Sequence, residues 1–276
     1  MKNFDVFLNF DGDCRAAIEF YAGVFGAEIP THIMTYDQNP DGAWAGNEGR
    51  ILYASLPIFG CNVMFSDCPA GSNYVKGANI DLALGAPDAS EIRKIFDALA
   101  EGGAVVMPLG KTFFSEFFGT VTDKFGVTWQ LYQDAKKGFD VFLNFDGDCR
   151  AALDFYAGVF GLEIPTDIML YEQGPECEFG KENNGRILHA SLPLFGCNAM
   201  FSDCPAGSNY VKGTNIALTL GASSADEIKN IFAALENGGK IAMPLGKTFF
   251  SELYGMLIDK FGITWQLTLS QEASAF

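Results

Sequence analysis

The chain has 276 residues, 49% of them hydrophobic and 19% charged, which is enough apolar material for one or two ordinary globular cores. Acidic residues outnumber basic ones 34 to 18, a formal net charge of -16. No Lys/Arg cluster could neutralise a run of phosphates, so neither nucleic acid nor an anionic membrane surface is an expected partner. The N-terminus carries no basic stretch followed by an apolar segment, and no apolar run reaches the roughly 18 residues that suggest a bilayer span, which together predict a cytoplasmic chain.

Phe4, Val6, Leu8 and Phe10 alternate with Asp5, Phe7 and Asn9, the period of two that predicts a strand. Asp11-Gly12-Asp13 offers turn and capping chemistry, after which Ala17, Phe20, Tyr21 and Val24 fall on one face of a helix closed by Gly26. Three extended stretches follow, at about 29–36, 50–59 and 62–66. The order then restarts. Asn79 to Leu84 reads as a strand, Asp88-Ala89-Ser90-Glu91 has the spacing of a capping box, and Ile92, Ile95, Phe96 and Leu99 mark the helix behind it. Strands at 104–109, 117–122 and 127–132 complete a second β-α-β-β-β unit.

The whole pattern is then repeated. Residues 4–26 return at 139–161 with Leu153 for Ile18 and Asp154 for Glu19, an offset of 135. Residues 54–77 return at 190–213 with an offset of 136, so one residue was inserted in between. So long a period means duplicated domains and not a solenoid. The reading is of domains at 1–134 and 139–276, four βαβββ modules in all. The short join predicts an internal pseudo-dimer of the two halves, which can leave the molecule monomeric overall.

Seven cysteines, an odd count with no C-x-x-C, predict free thiols in a reducing compartment. Cys177 is the one without a repeat counterpart. It sits in the segment where the halves differ most, 36–49 against 171–185, whose Gly, Pro, Asn and acidic residues predict an exposed loop. Ser66-Asp67-Cys68 is not read as a nucleophile site, since a triad needs its base.

Three blocks carry a family resemblance: F-x-G-x-C-x-x-A-I-x-F-Y-x-x-V-F-G-A-E from Phe10 to Glu28, A-S-L-x-I-x-G-x-x-x-M-F-S-D ending at Asp67, and F-G-x-V-T-D-K-F-G-V-x-W-x-L from Phe118 to Leu131. Together with the paired β-α-β-β-β units they resemble PhnB-like proteins of the vicinal-oxygen-chelate (glyoxalase/bleomycin-resistance/dioxygenase) superfamily, over essentially all of both halves. The resemblance implies an α+β fold of tandem glyoxalase-like domains, with curved mixed sheets cupping an open cleft. PhnB-like proteins are often labelled demethylubiquinone methyltransferases, yet no strand-turn-helix here carries the glycine-rich loop of an adenosylmethionine or dinucleotide site, and no cofactor is expected.

Superfamily enzymes hold a divalent metal through two His and two Glu side chains. This chain has only His32 and His189, at non-equivalent positions, and amides, Gln130 and Gln266, where the resemblance places the last-strand carboxylate. An uncharged amide oxygen binds a divalent ion far more weakly than a carboxylate, so no metal site is expected. The cleft-facing polar candidates are Asp5, Asn9, Tyr53 and Gln130 with their counterparts Asp140, Asn144, His189 and Gln266. Alternation turns Trp129 and Trp265 away from those amides and into the core. The paired Phe113-Phe114 and Phe249-Phe250 could line an apolar cleft, but core packing is the more ordinary expectation.

Three readings follow: a metal-independent small-molecule-binding protein, a lyase, dioxygenase or thiol transferase recruiting a metal through Asp and His189, and a non-catalytic interaction module. The first is preferred.

Overall fold

The computed structural model describes residues 3–40, 45–174 and 180–270, so Cys177 and part of each divergent loop lie outside the described residues. The first module is β1 (Asn3–Phe10), α1 (Cys14–Phe25), β2 (Met34–Thr35), β3 (Ile51–Ile58) and β4 (Cys61–Asp67). The second is β5 (Ile80–Ala86), α2 (Ala89–Ala100), β6 (Ala104–Gly110), β7 (Phe118–Thr122) and β8 (Thr128–Gln133). The third comprises β9 (Gly138–Phe145), α3 (Cys149–Phe160), β10 (Met169–Leu170), β11 (Ile187–Leu194) and β12 (Cys197–Asp203). The fourth comprises β13 (Ile216–Ala222), α4 (Ala225–Glu236), β14 (Lys240–Gly246), β15 (Tyr254–Ile258) and β16 (Thr264–Leu269). No helix among the described residues is long and apolar enough to cross a membrane.

These modules recombine across the repeat. One eight-stranded sheet runs β14-β15-β16-β13-β1-β4-β3-β2 and the other β10-β11-β12-β9-β5-β8-β7-β6. Two compact units result, one built from the residues up to Val75 with those from Lys212 onward, the other from Lys76–Val211. The sequence repeat and the compact unit are therefore different objects, since each unit takes one module from each repeat. The four residues between β8 and β9 show how this is done. They carry the chain over the end of β5, which lies between those strands, a step of about 10 Å that four residues span easily.

Each sheet buries one face under its helices. In the unit containing β1, the buried stripe is Val6, Leu8 and Phe10 on β1, Val63 and Phe65 on β4, Leu218 and Leu220 on β13, and Trp265 and Leu267 on β16. Trp129 and Trp265 are fully buried on that side, each donating its indole N–H to a carboxylate, Asp123 at 2.8 Å and Asp259 at 2.7 Å. Gly119 lies where a Cβ would meet Phe96 and Leu109 at about 3 Å, so glycine is what lets α2 close on β7.

Three local expectations are corrected. The stretch 29–36 contributes only Met34 and Thr35 to a strand. Pro30 has no N–H to donate, and the chain coils into a 3-10 turn at Tyr36–Gln38, where the Gln38 amide oxygen accepts the Thr35 N–H. At the start of α1, Asp13 makes no side-chain cap. The cap comes from a distant strand, where Asp67 Oδ1 accepts the N–H groups of Gly12 and Cys14 at 2.8 and 3.1 Å. Finally, the phenylalanine pairs are not core. Phe113 is 55% and Phe114 is 59% exposed, with Phe114 standing edge-on to Phe118 at 4.9 Å, and Phe249 and Phe250 are exposed likewise. Replacing Phe113 by serine should therefore cost no more than about 1.5 kcal/mol, the worth of its ring pair with Phe114. A chemical melt reporting 3 kcal/mol or more would place this ring in the core after all.

Candidate functional site

The face of each sheet opposite its helices is where polar side chains gather. In the Lys76–Val211 unit strand pairing sets them in rows. Asp140 on β9 stands opposite Ala83 on β5, which pairs with Gln130 on β8, which pairs with Thr120 on β7. One step along, Asp81 on β5 stands opposite Phe142 on β9, and Phe142 pairs with Met200 on β12. Tyr132 and Phe118 pair farther along the same face, with the Tyr132 ring against Gly85.

The eight sequence candidates divide differently from the way the halves suggest. Gln130 shares a sheet with Asp140, Asn144 and His189, whereas Asp5, Asn9 and Tyr53 share theirs with Gln266. Several are already engaged. Asp140 accepts the Asn198 N–H at 2.8 Å and the Tyr132 hydroxyl at 2.9 Å, and Asp5 accepts the Asn62 N–H at 3.1 Å and the Asn3 amide. Burial raises the Asp5 carboxyl above its ordinary value against those hydrogen bonds. Asn9 and Asn144 both donate to backbone carbonyls, of Thr214 at 3.3 Å and Ala78 at 3.1 Å. Tyr53 and His189 are exposed on β3 and β11. The His189 ring lies 6.3 Å from that of Phe142, and desolvation lowers its pKa below the usual imidazole value despite the opposing pull of Asp167. His32 is exposed on a loop.

Asp81 is the residue that sequence reasoning missed. It is 8% exposed, and its Oδ2 accepts the Gln130 amide at 2.8 Å, with Asn144 hydrogen-bonded to it as well. Desolvation pushes its carboxyl up to about 6, outweighing the two amides, which favour the charged form. The signal was present in the run Asn79-Ile80-Asp81-Leu82-Ala83-Leu84, since an acid alternating with leucines in a central strand must point away from the helices. Its repeat counterpart is Ala217, so the other unit has no such carboxylate. There Asp5, Thr219 and Gln266 stand side by side on β1, β13 and β16, and the Thr219 hydroxyl is buried without a hydrogen-bond partner.

Comparison with known proteins fits this architecture. Residues 3–131 match the Glyoxalase/Bleomycin resistance protein/Dioxygenase superfamily, and residues 137–268 match the family described as 3-demethylubiquinone-9 3-methyltransferase. Protein YjdN of Escherichia coli (strain K12) is 32% identical over 136 residues, covering 45% of this chain and 90% of YjdN. The chain belongs to the PhnB-like group of the glyoxalase/bleomycin resistance/dioxygenase superfamily. Among solved structures, a PhnB protein from Bacillus cereus is 33% identical over 47% of this PhnB-like chain and 98% of its own, with a TM-score of 0.41. Glyoxalase I of Zea mays aligns over 97% of this chain and 93% of its own at 17% identity and a TM-score of 0.64, a likeness of fold.

The two cofactor classes these names bring to mind can be tested against the PhnB-like chain's own residues. A superfamily metal needs several charged donors at one point. Among the described residues no three His, Cys, Asp or Glu side chains converge. Asp140 is turned to Tyr132 and Asn198, Gln130 gives its N–H to Asp81, and His189 stands three strands from Asp81, about 14 Å at ordinary strand spacing. This donor set does not fit a tightly held divalent ion. A cofactor phosphate or carboxylate would seek a helix N-terminus after a strand. At α1 and α3 that place is taken by the chain's own Asp67 and Asp203, the latter accepting from Gly147 and Cys149 at 2.8 and 3.0 Å. Asp67 and Asp203 are thus structural, as is the neighbouring Ser66, which donates to a backbone carbonyl.

The six described cysteines are free thiols. Burial pushes Cys61 up to about 12 and Cys68 and Cys204 up to about 11, so none of these three is a ready nucleophile at neutral pH.

Proposed function

We propose that the chain is a small-molecule-binding protein that uses the helix-free face of its sheets and needs no tightly bound metal. The observation that carries this reading is the Asp81 carboxylate, recessed opposite Phe142 and held by two amides. Recessed polar groups converging beside an aromatic ring are what orient and discriminate a small ligand. The thiols and the absence of a basic surface suit a cytoplasmic setting without nucleic acid or membrane partners.

Two measurements test it. Screening a panel of small metabolites by thermal shift and calorimetry should find at least one that raises the melting temperature in a concentration-dependent way. Silence across a broad panel would count against the proposal. Elemental analysis of protein purified without chelators should give well under one metal per chain, with no gain in melting temperature on adding Mn, Ni or Fe. A stoichiometric ion would instead favour the metal-dependent enzyme of the same superfamily.

A further inference from the structure

The two helix-free faces have parted chemically although the strands around them are nearly copies. At register-equivalent places one unit has Asp81, Ala83, Tyr132, Phe118 and His189 where the other has Ala217, Thr219, Thr268, Tyr254 and Tyr53. The exchange on β5 against β13 moves the polar group by two residues along one face and removes its charge. Asp81 and Ala217 are both buried, and both stand opposite a phenylalanine, Phe142 and Phe7.

Building on the small-ligand reading above, we infer that the face of the Lys76–Val211 unit selects an organic cation through Asp81, a charge that the equivalent place in the other unit, Ala217, does not supply. The carboxylate is held by Gln130 and Asn144, both uncharged, and among the described residues no Lys, Arg or His forms an ion pair with it. A buried carboxylate kept in that state is under-compensated, and a protonated nitrogen supplied by a ligand would balance it. The Phe142 ring opposite suits the same ligand, because aromatic faces attract cations once water is excluded. The net charge of -16 also concentrates cations near the protein. In the other unit the floor is Ala217, and the nearest polar groups are the unpartnered, 5% exposed Thr219 hydroxyl and the Gln266 amide, which offer hydrogen bonds and no charge of their own. Asp5 beside them already accepts from Asn62 and Asn3.

The test titrates the full chain by calorimetry with benzylammonium and its neutral isostere benzyl alcohol. Wild type should bind one equivalent of benzylammonium, at least tenfold more tightly than benzyl alcohol. Asp81→Asn should weaken the cation at least tenfold and change the alcohol less than twofold. Ala217→Asp should add a second cation equivalent, and if that variant does not fold, the Asp81→Asn comparison decides alone. No binding of benzylammonium, equal affinity for the two probes, or cation binding untouched by Asp81→Asn would overturn the inference. Failure of the underlying reading looks different: neither probe nor any member of the metabolite panel would bind at all.

Discussion

Replacing Asp123 with alanine is expected to lower the unfolding free energy by about 4 kcal/mol, with no change in ligand affinity per folded molecule. Its two oxygens do three things at once. Oδ1 accepts the N–H groups of Phe125 and Val127 at 2.9 and 3.0 Å, shaping the turn between β7 and β8, and Oδ2 accepts the Trp129 indole at 2.8 Å. All four residues are buried, so alanine strands three donors that water cannot reach, each at about 1–3 kcal/mol. Asparagine separates the contributions. It can keep an oxygen for the two backbone donors but must turn its own N–H group toward Trp129, so about half the loss should remain. A urea titration showing less than 1 kcal/mol for alanine would mean that this turn is held by something other than the carboxylate.

The second large effect runs the other way. Asp81→Asn should stabilise the chain by about 3 kcal/mol above pH 7 and by nothing below about pH 3.5. A carboxyl at about 6 in the fold and near 3.8 when free keeps its proton in the folded chain after the unfolded chain has released it. Stability from this group is therefore complete below about pH 3.8, is lost as the pH rises through about 6, and stays lost above. Asparagine is uncharged throughout, and Gln130 can turn its carbonyl to receive the new N–H. Other groups on the face, Asp140 and His189 among them, are common to both proteins, so the difference between the two pH profiles isolates Asp81. His189 on its own acts with opposite sign, since a depressed imidazole costs stability as the pH falls. Parallel profiles for the two proteins between pH 4 and 7 would refute the buried, proton-holding state of Asp81. Such a gain in stability, joined to the loss of cation binding proposed above, would match the usual trade between stability and a charge kept for function.

How much of this was legible in the sequence depends on distance along the chain. Strands and helices follow from side-chain periods, and the alternation of Trp129 with Gln130 fixed which of them meets the core. The cap of α1 was not legible, because its acceptor is Asp67, more than fifty residues on, and a local scan credits Asp13 instead. The phenylalanine pairs misled for a related reason: hydrophobicity says that a ring favours burial, not that the loop carrying it reaches the core. The exchange of modules was equally hidden. The segments between β4 and β5 and between β12 and β13 are long enough to return to their own sheet or to leave it, and no residue in them announces which. Of the candidate residues, strand parity put Gln130 on the face opposite the helices, but their grouping was not legible, since Gln130 shares a sheet with Asp140 and Asn144 and not with Asp5. Asp81 shows in the sequence only through strand parity, because no other polar side chain stands near it in the apolar run 80–86.

Because every unit is stitched from both copies of the ancestral segment, neither copy can drift alone. A change on β5 is felt by β8 of its own copy and also by β9, which descends from the other, so compensating changes should accumulate between the copies as well as within them. Duplication is often pictured as freeing one copy to vary while its twin keeps the old role. Here the interleaving ties the twins together, and what diverges is a pair of helix-free faces, each a joint product of both.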